Sequence, residues 1–280
     1  MRSVLSSSFN DEIKSGVRFE FGKNWSHFLA TVSDERIAEA ETALANFLQL
    51  SDLKNLRFLD IGCGSGLSSL AAFRLGADVT SFDYDPYSVE TTNRLKTAFA
   101  PQASNWKIMA GSALDKHMMR RLGEFDIVYS WGVLHHTGNM MDGLALAAER
   151  VSPGGLLFVA IYNDQGRMSS IWRAIKKTYC RIPRSLQLLV IFLCLIRLWG
   201  PTILRDTCRL RPLRTLRDYR KVRGMNPWHD VVDWVGGYPF EVAKPEQIFE
   251  FCRDQGFTLQ MLKTCGGGIG CNEFLFRRSG

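Results

Sequence analysis

The 280-residue sequence predicts an α/β fold organised around a mostly parallel sheet. Two observations carry that prediction: strand-like apolar runs alternate with helix-like stretches from about residue 56 onward, and a glycine-rich loop closes the first of those runs. Hydrophobic residues at 46% and charged residues at 22% exclude a wholly disordered chain, and the length suffices for one large domain or two of average size.

The elements follow in order. Ser33 or Asp34 opens a helix that carries Ile37, Ala40, Leu44, Phe47 and Leu48 on one face. A strand ends at Phe58-Leu59-Asp60-Ile61, the glycine loop turns the chain, and a small-residue helix with Leu67, Leu70 and Leu75 stops at Gly76. Val79–Phe82 is the second strand, with Asp85 as cap and Pro86 as first residue of a helix reaching about Phe99. Trp106–Ala110, Phe125–Ser130 and Leu156–Tyr162 are the third to fifth strands, the last entered by a Ser152-Pro153-Gly154-Gly155 turn. From 163 to about 240 the alternation gives way to helical, arginine-rich sequence, which reads as an insertion or lid. A helix from Pro245 to Gly256, a strand from Phe257 to Leu262, a Gly266-Gly267-Gly268 turn and a strand from Glu273 to Arg277 close the chain. That turn is too short for a parallel crossover, so the last two strands are antiparallel to each other.

The net charge of +7 is unevenly placed: Asn163 to Arg223 holds 15 basic and 3 acidic side chains, a local +12 that leaves the remainder at −5. Within it a short apolar helix, Arg184 to Gly200, precedes a run of arginines. That make-up fits an interfacial segment on an anionic membrane, where each cation contributes about 1 kcal/mol. It also fits a lid helix buried against the domain with solvated arginines, or a grip on a small acceptor bearing phosphate or carboxylate, the acceptor being anionic or lipid-like. Nucleic acid is disfavoured as a partner, because Tyr219 is the one aromatic interleaved with the arginines. The longest unbroken apolar run, Leu188–Ile196, has nine residues, whereas a spanning helix needs roughly 20. With no apolar leader at the N-terminus, the expectation is a cytoplasmic protein, at most membrane-peripheral, without a transmembrane helix. Seven scattered cysteines with no CxxC pair favour a reducing compartment over a disulfide framework or zinc ribbon. Cys265 and Cys271 flank the triple glycine as parts of a hairpin turn.

The most informative stretch is Asp60-Ile61-Gly62-Cys63-Gly64-Ser65-Gly66, at the carboxyl end of the first strand, the edge where open α/β sheets bind ligands. Glycines let the backbone approach a ligand, and Asp83, 23 residues after Asp60 at the end of the second strand, suits a pair of ribose hydroxyls. The glycines at 62, 64 and 66 depart from the G-x-G-x-x-G of NAD-binding enzymes and favour a cofactor without a pyrophosphate.

This loop, Phe82-Asp83-Tyr84-Asp85, Phe125 to Trp131 with Val133-Leu134-His135-His136, and Ser152 to Gly155 lie in one order over residues 56–162. Together they resemble the class I S-adenosylmethionine-dependent methyltransferases, in the subgroup of the ubiquinone-biosynthesis O-methyltransferases. The resemblance implies a Rossmann-like, seven-stranded, mostly parallel sheet with helices on both faces and an antiparallel last strand; the helical insertion after the fifth strand comes from the residues alone and matches no family motif. It implies methyl transfer from S-adenosylmethionine to a small-molecule acceptor, at oxygen, leaving S-adenosylhomocysteine and using no metal. Gly62, Cys63 and Gly64 then line the amino-acid end of the cofactor, Asp83 the ribose, and Tyr84, Ser112 and Ala113 the adenine, with Asp60 also among the cofactor-binding residues. Ser130 and Trp131 come near the sulfonium. The chain divides into an N-terminal cap (1–32), the cofactor-binding core (33–162), the basic insertion (163–240) and a closing helix and hairpin (241–280).

A hydroxyl acceptor needs a base, and the candidates are His136, His135 and Tyr162. Trp25, His229, Trp234 and Tyr238 are candidate acceptor contacts, the last two beside a Gly236-Gly237 pair suited to a movable wall. The alternatives are a non-catalytic module holding S-adenosylmethionine or S-adenosylhomocysteine, and a nucleic-acid methyltransferase that uses the basic insertion.

Overall fold

The structure, a computed structural model, describes residues 2–22, 29, 32–211, 213–217 and 227–280. Seven strands form one sheet in the order β3-β2-β1-β4-β5-β7-β6. They are β1 (Arg57–Ile61), β2 (Asp78–Asp83), β3 (Trp106–Ala110), β4 (Phe125–Trp131), β5 (Val151–Tyr162), β6 (Phe257–Lys263) and β7 (Cys271–Arg278). The first five pair in parallel, and β7 is antiparallel to both its neighbours, β5 and β6. The Ser152–Gly155 turn expected before the fifth strand is instead an irregularity within it: Phe125 pairs Val151, the register shifts, and Ile127 pairs Leu156.

Alternation along the strands builds a core on each face of the sheet. In β1, Phe58 points to one side and Leu59 and Ile61 to the other; in β5, Leu156 and Phe158 oppose Leu157 and Val159. One face is covered by α2 (Asp34–Leu48), α3 (Leu67–Arg74) and α4 (Pro86–Phe99), through Ile37, Leu70 and Leu95. The other is covered by α5 (Lys116–Leu122), α6 (Met140–Ala148) and α10 (Pro245–Asp254), through Met119, Leu144 and Ile248. Burying each such side chain stabilises the fold by about 1.5–3 kcal/mol. Local signals set the helix starts: Ser33 accepts from the Arg36 N–H, and Asp85 accepts from the Tyr87 N–H with Pro86 at the first position.

Residues 163–240 leave and rejoin the sheet at one point. Asn163 bridges Ala243, whose N–H donates to the Tyr162 carbonyl and whose carbonyl accepts from Asp164. The insertion contains α7 (Arg167–Arg181), α8 (Arg184–Cys208) and α9 (Pro227–Gly236), packed on a third core of Trp172, Tyr179, Ile191, Val231, Val235 and Phe240. Two expectations change here. The short apolar helix continues through Pro201 for 25 residues, and it is long and apolar enough to cross a membrane by length and composition. Counting only unbroken apolar residues hid it, because Arg197 and Gly200-Pro201 interrupt the run while the backbone remains helical.

The N-terminal helix α1 (Arg2–Lys14) and the segment after it run back across the carboxyl edge of the sheet. Phe9 packs edge-on against Tyr84, Gly22 N–H donates to Asp85, and Phe19 N–H donates to the Tyr238 carbonyl.

Candidate active site

The centre of the sheet fixes the glycine loop. β1 lies between β2 and β4, so a crevice opens beyond the carboxyl ends where the strand order reverses. At that end the N–H groups of Gly62 and Cys63 both donate to the Phe82 carbonyl, at 2.9 and 3.0 Å, which latches the loop to the end of β2. Gly62 has φ +76°, and a Cβ there would overlap the side chain of Val133. Only glycine satisfies both conditions.

One residue past Phe82, Asp83 is held from two sides. Its Oδ2 accepts from the Gly64 N–H at 2.9 Å and its Oδ1 from the Asp85 N–H at 2.8 Å. Burial, with Asp85 nearby, pushes its pKa up to about 7. Asp60, 2% exposed and also pushed up to about 7 by burial, accepts from the Ser69 hydroxyl at 2.5 Å. Both carboxylates line a cavity of about 1200 Å³, large enough for a nucleoside and a second molecule.

Most of the expected cofactor residues converge on this cavity: Asp60, Gly62, Cys63, Gly64, Asp83, Tyr84, Ser112, Ala113 and Trp131 all line it. Ser130 does not. It is fully buried on the inner side of β4, where its hydroxyl donates to the Ile61 carbonyl, because adjacent strand residues face opposite ways. Trp131, 46% exposed, donates its indole N–H to Glu273 at 3.2 Å.

The two histidines separate in the same manner. His136 lines the cavity, and its Nδ1 lies 2.7 Å from the Pro239 carbonyl. A carbonyl only accepts, so Nδ1 carries the proton and Nε2 keeps a lone pair. Burial lowers its pKa to about 3, so the ring is neutral at physiological pH. His135 is fully buried and does not line the cavity: it stacks on Tyr162 at 3.7 Å, and its Nδ1 accepts from the Tyr162 N–H. Tyr162 lines the cavity edge-on to His136.

Of the expected acceptor contacts, Trp234 lines the cavity, and its carbonyl accepts from the buried Lys176 ammonium, which also lies 4.2 Å from its ring centroid. Tyr238 does not line it, its carbonyl being taken up by Phe19. Trp25 and the side chain of His229 lie outside the described residues. The Gly236-Gly237 pair is closely packed. A Cβ on Gly236 would overlap the Phe19 ring, and one on Gly237 would come within 3.1 Å of both His136 and Phe21.

Several lining residues escaped the sequence reading. Arg18 donates to Glu12 at 2.5 Å and to the His136 carbonyl at 2.9 Å, and its guanidinium lies 4.8 Å from the Tyr84 ring centroid. One side chain thus ties the cap to both Tyr84 and His136, and no motif marks it. Leu198 and Trp199 reach the cavity from α8, and Asp230 and Asp233 from α9. The i, i+3, i+4 spacing of 230, 233 and 234 is the one signal that placed these last two beside Trp234. None of the described arginines of the insertion lines the cavity, so the anionic-acceptor grip expected of them is absent among the described residues. No group of histidine, cysteine and acidic residues able to hold a metal occurs among them either.

The model of the methyltransferase domain family matches residues 33–193, more than half of the chain. The chain belongs to that family. Among curated relatives, the ubiquinone biosynthesis O-methyltransferase of Sinorhizobium fredii is 37% identical over 112 residues, 40% of this chain and 43% of that protein. The same enzyme of a Caulobacter species is 31% identical over 133 residues, 44% of this chain and 49% of that protein. The chain therefore matches less than half the length of these relatives. Magnesium protoporphyrin IX methyltransferase from Synechocystis, solved with bound SAH, aligns with TM-score 0.52 at 15% identity over 87% of this chain and 84% of that one. An O-methyltransferase family protein from Burkholderia thailandensis aligns with TM-score 0.50 at 15% identity over 88% of this chain and 58% of that one. These likenesses establish the Rossmann-like methyltransferase fold.

Proposed function

We propose that the protein transfers a methyl group from S-adenosylmethionine to an oxygen of a small-molecule acceptor. The carrying observation is that the latched glycine loop, the doubly held Asp83 and His136 all line one cavity. The cradle fits the cofactor: glycine is required where backbone must come close, and a carboxylate stands ready for the ribose. Asp60, Gly62, Cys63 and Gly64 hold the amino-acid end, Asp83 the ribose, and Tyr84, Ser112 and Ala113 the adenine. When bound, the cofactor supplies an electrophilic methyl group, so no metal is required.

The remaining work belongs to this chain's side chains. Trp131, Tyr162 and Trp234 form the walls that orient the acceptor, a contribution of up to roughly 7–11 kcal/mol when the approach is in line. His136 Nε2 accepts the hydroxyl proton. A hydroxyl oxygen that gains a methyl while still protonated is a far stronger acid than an imidazolium, so an imidazole of pKa about 3 still takes that proton. In this reading the described residues of segment 1–32 cap the cofactor and those of 163–240 form the acceptor-side lid. Leu198, Trp199 and Trp234 in the wall support a lipid-like rather than an anionic acceptor, in a cytoplasmic protein touching a membrane through its insertion. Nucleic acid is not favoured, since among the described residues eight carboxylates line the cavity against Arg18 as the one lysine or arginine.

The test is calorimetry with S-adenosylhomocysteine, followed by mass-spectrometric detection of a trideuteromethyl group moved from labelled S-adenosylmethionine to a panel of hydroxylated acceptors. Absence of S-adenosylhomocysteine binding refutes the enzyme. Binding without turnover on any acceptor favours the passive module.

A further inference from the structure

The helix α8 has two apolar faces, and the chain covers one of them. Ile191 and Cys194 are buried in the third core, with Val190, Leu195, Leu198 and Trp199 packed beside them. On the opposite side Leu188, Leu189, Phe192, Leu193, Ile196 and Leu204 are each between 52% and 66% exposed. Only 17% of the most apolar stretch is buried, which is not how the inner helix of a globular core behaves. No charge interrupts the sequence from Ser185 to Ile196. Guanidinium groups bracket it, Arg181 and Arg184 before and Arg197, Arg205, Arg209 and Arg211 after. From Lys177 to Arg217 there are nine basic residues and one acidic residue, Asp206, which accepts from Thr215.

We propose that α8 lies flat in the headgroup region of an anionic bilayer with its exposed apolar face inserted, and that an apolar-tailed acceptor enters the cavity past Leu198 and Trp199. The length of about 37 Å would suffice for spanning. The packing forbids it, because the covered face would draw Trp172, Tyr179 and the buried Lys176 into hydrocarbon. Charge selects the occupant. Anionic lipid complements the arginines at both ends of the stripe, whereas a second copy of this chain would bring like clusters together. Leu198 and Trp199 belong both to this helix and to the cavity wall, so the bilayer surface and the acceptor cavity are separated by one helix. The second clause rests on the methyltransferase reading; the first stands without it.

The experiment uses the full chain with sedimented vesicles of phosphatidylcholine, with and without 30 mol% phosphatidylglycerol as about a third of the lipid. The expected result is at least roughly tenfold tighter binding to the anionic vesicles, weakening as salt rises. Leu189→Glu combined with Leu193→Glu reduces that binding by more than about tenfold while leaving S-adenosylhomocysteine affinity within about twofold. Brominated acyl chains quench tryptophan emission in the wild type and quench less in Trp199→Phe. Wild-type protein that ignores anionic vesicles, or a double variant that binds as well as wild type, overturns the docking. A concentration-dependent dimer abolished by the same double substitution overturns it in favour of a second copy. Equal quenching in Trp199→Phe overturns the acceptor route. Vesicle binding without S-adenosylhomocysteine binding overturns the methyltransferase reading and the route together, and leaves the docking in place.

Discussion

In the proposed reading, Asp83 links cofactor binding to pH. In the unliganded fold burial and Asp85 raise its pKa from 3.8 to about 7. A raised carboxyl pKa means that the fold gains stability from this group as pH falls through about 7 towards 4, and loses it as pH rises. Two ribose hydroxyls donate to a carboxylate, not to a carboxylic acid, so binding selects the ionised form. With a pKa of about 7, roughly a tenth of the sites are ionised at pH 6 and about nine-tenths at pH 8, giving an affinity about tenfold weaker at pH 6. Asp83→Asn presents an NH2 to one of two backbone donors, Gly64 N–H and Asp85 N–H, and removes charge from both remaining hydrogen bonds. The expected loss is about 2–4 kcal/mol, roughly 30- to 1000-fold in S-adenosylhomocysteine affinity, with a flatter pH profile. Calorimetry between pH 5.5 and 8 in buffers of different ionisation enthalpy measures affinity and proton release together. An affinity that is flat across this range in the wild type, without proton release near pH 6, refutes the assignment.

His136→Ala lowers kcat by about 10²- to 10⁴-fold, while S-adenosylhomocysteine affinity stays within about twofold, as steady-state kinetics and calorimetry report. A parallel loss of affinity would show that the ring supports the cofactor rather than the proton transfer. Gly62→Ala, forced to φ +76° against Val133, destabilises the fold by about 1–3 kcal/mol and abolishes S-adenosylhomocysteine binding; thermal melts with and without ligand show it. Burial lowers the Lys176 pKa from 10.5 to about 7, so the group's contribution to stability rises with pH above 7, by about 2–3 kcal/mol between pH 7 and 9. Denaturant melts of Lys176→Met should lack that rise.

The sheet was legible because its signals are local. Ser33, Asp85-Pro86 and the alternating residues of β1 and β5 each satisfy a rule that needs no distant partner. The loop from Asp60 to Gly66 was legible for a related reason, since its glycines meet a backbone requirement written at single positions. Side-chain direction was less so. Ser130 and His135 sit one residue from cavity-lining neighbours, yet face into the protein. Arg18 was invisible, because its role comes from the cap folding back over residues 66 to 118 positions away, and no periodicity encodes that return. The insertion misled in another way. Its arginines looked like ligands for an anionic acceptor, but none of those described reaches the cavity, while two acids of α9 do.

That division of charge has a consequence for turnover. The chain is net basic, yet its cavity is lined by eight carboxylates against Arg18 as the one lysine or arginine among the described residues. Asp83 and Asp60 are already disfavoured as anions by burial, so a cationic ligand relieves a cost that a neutral one leaves standing. In the proposed reaction methyl transfer removes the sulfonium charge, so the expected outcome is a site that holds its product less well than its substrate. One unit charge interacting with the carboxylates at an effective dielectric near that of a protein surface is worth about 1 kcal/mol or more, at least roughly fivefold in affinity. Competition binding of S-adenosylmethionine against S-adenosylhomocysteine should show that preference, and the preference should shrink as ionic strength rises. Tighter binding of the uncharged product at every salt concentration would mean that the carboxylates are neutralised before the cofactor arrives, and that Asp83 does not act as an anion in the complex.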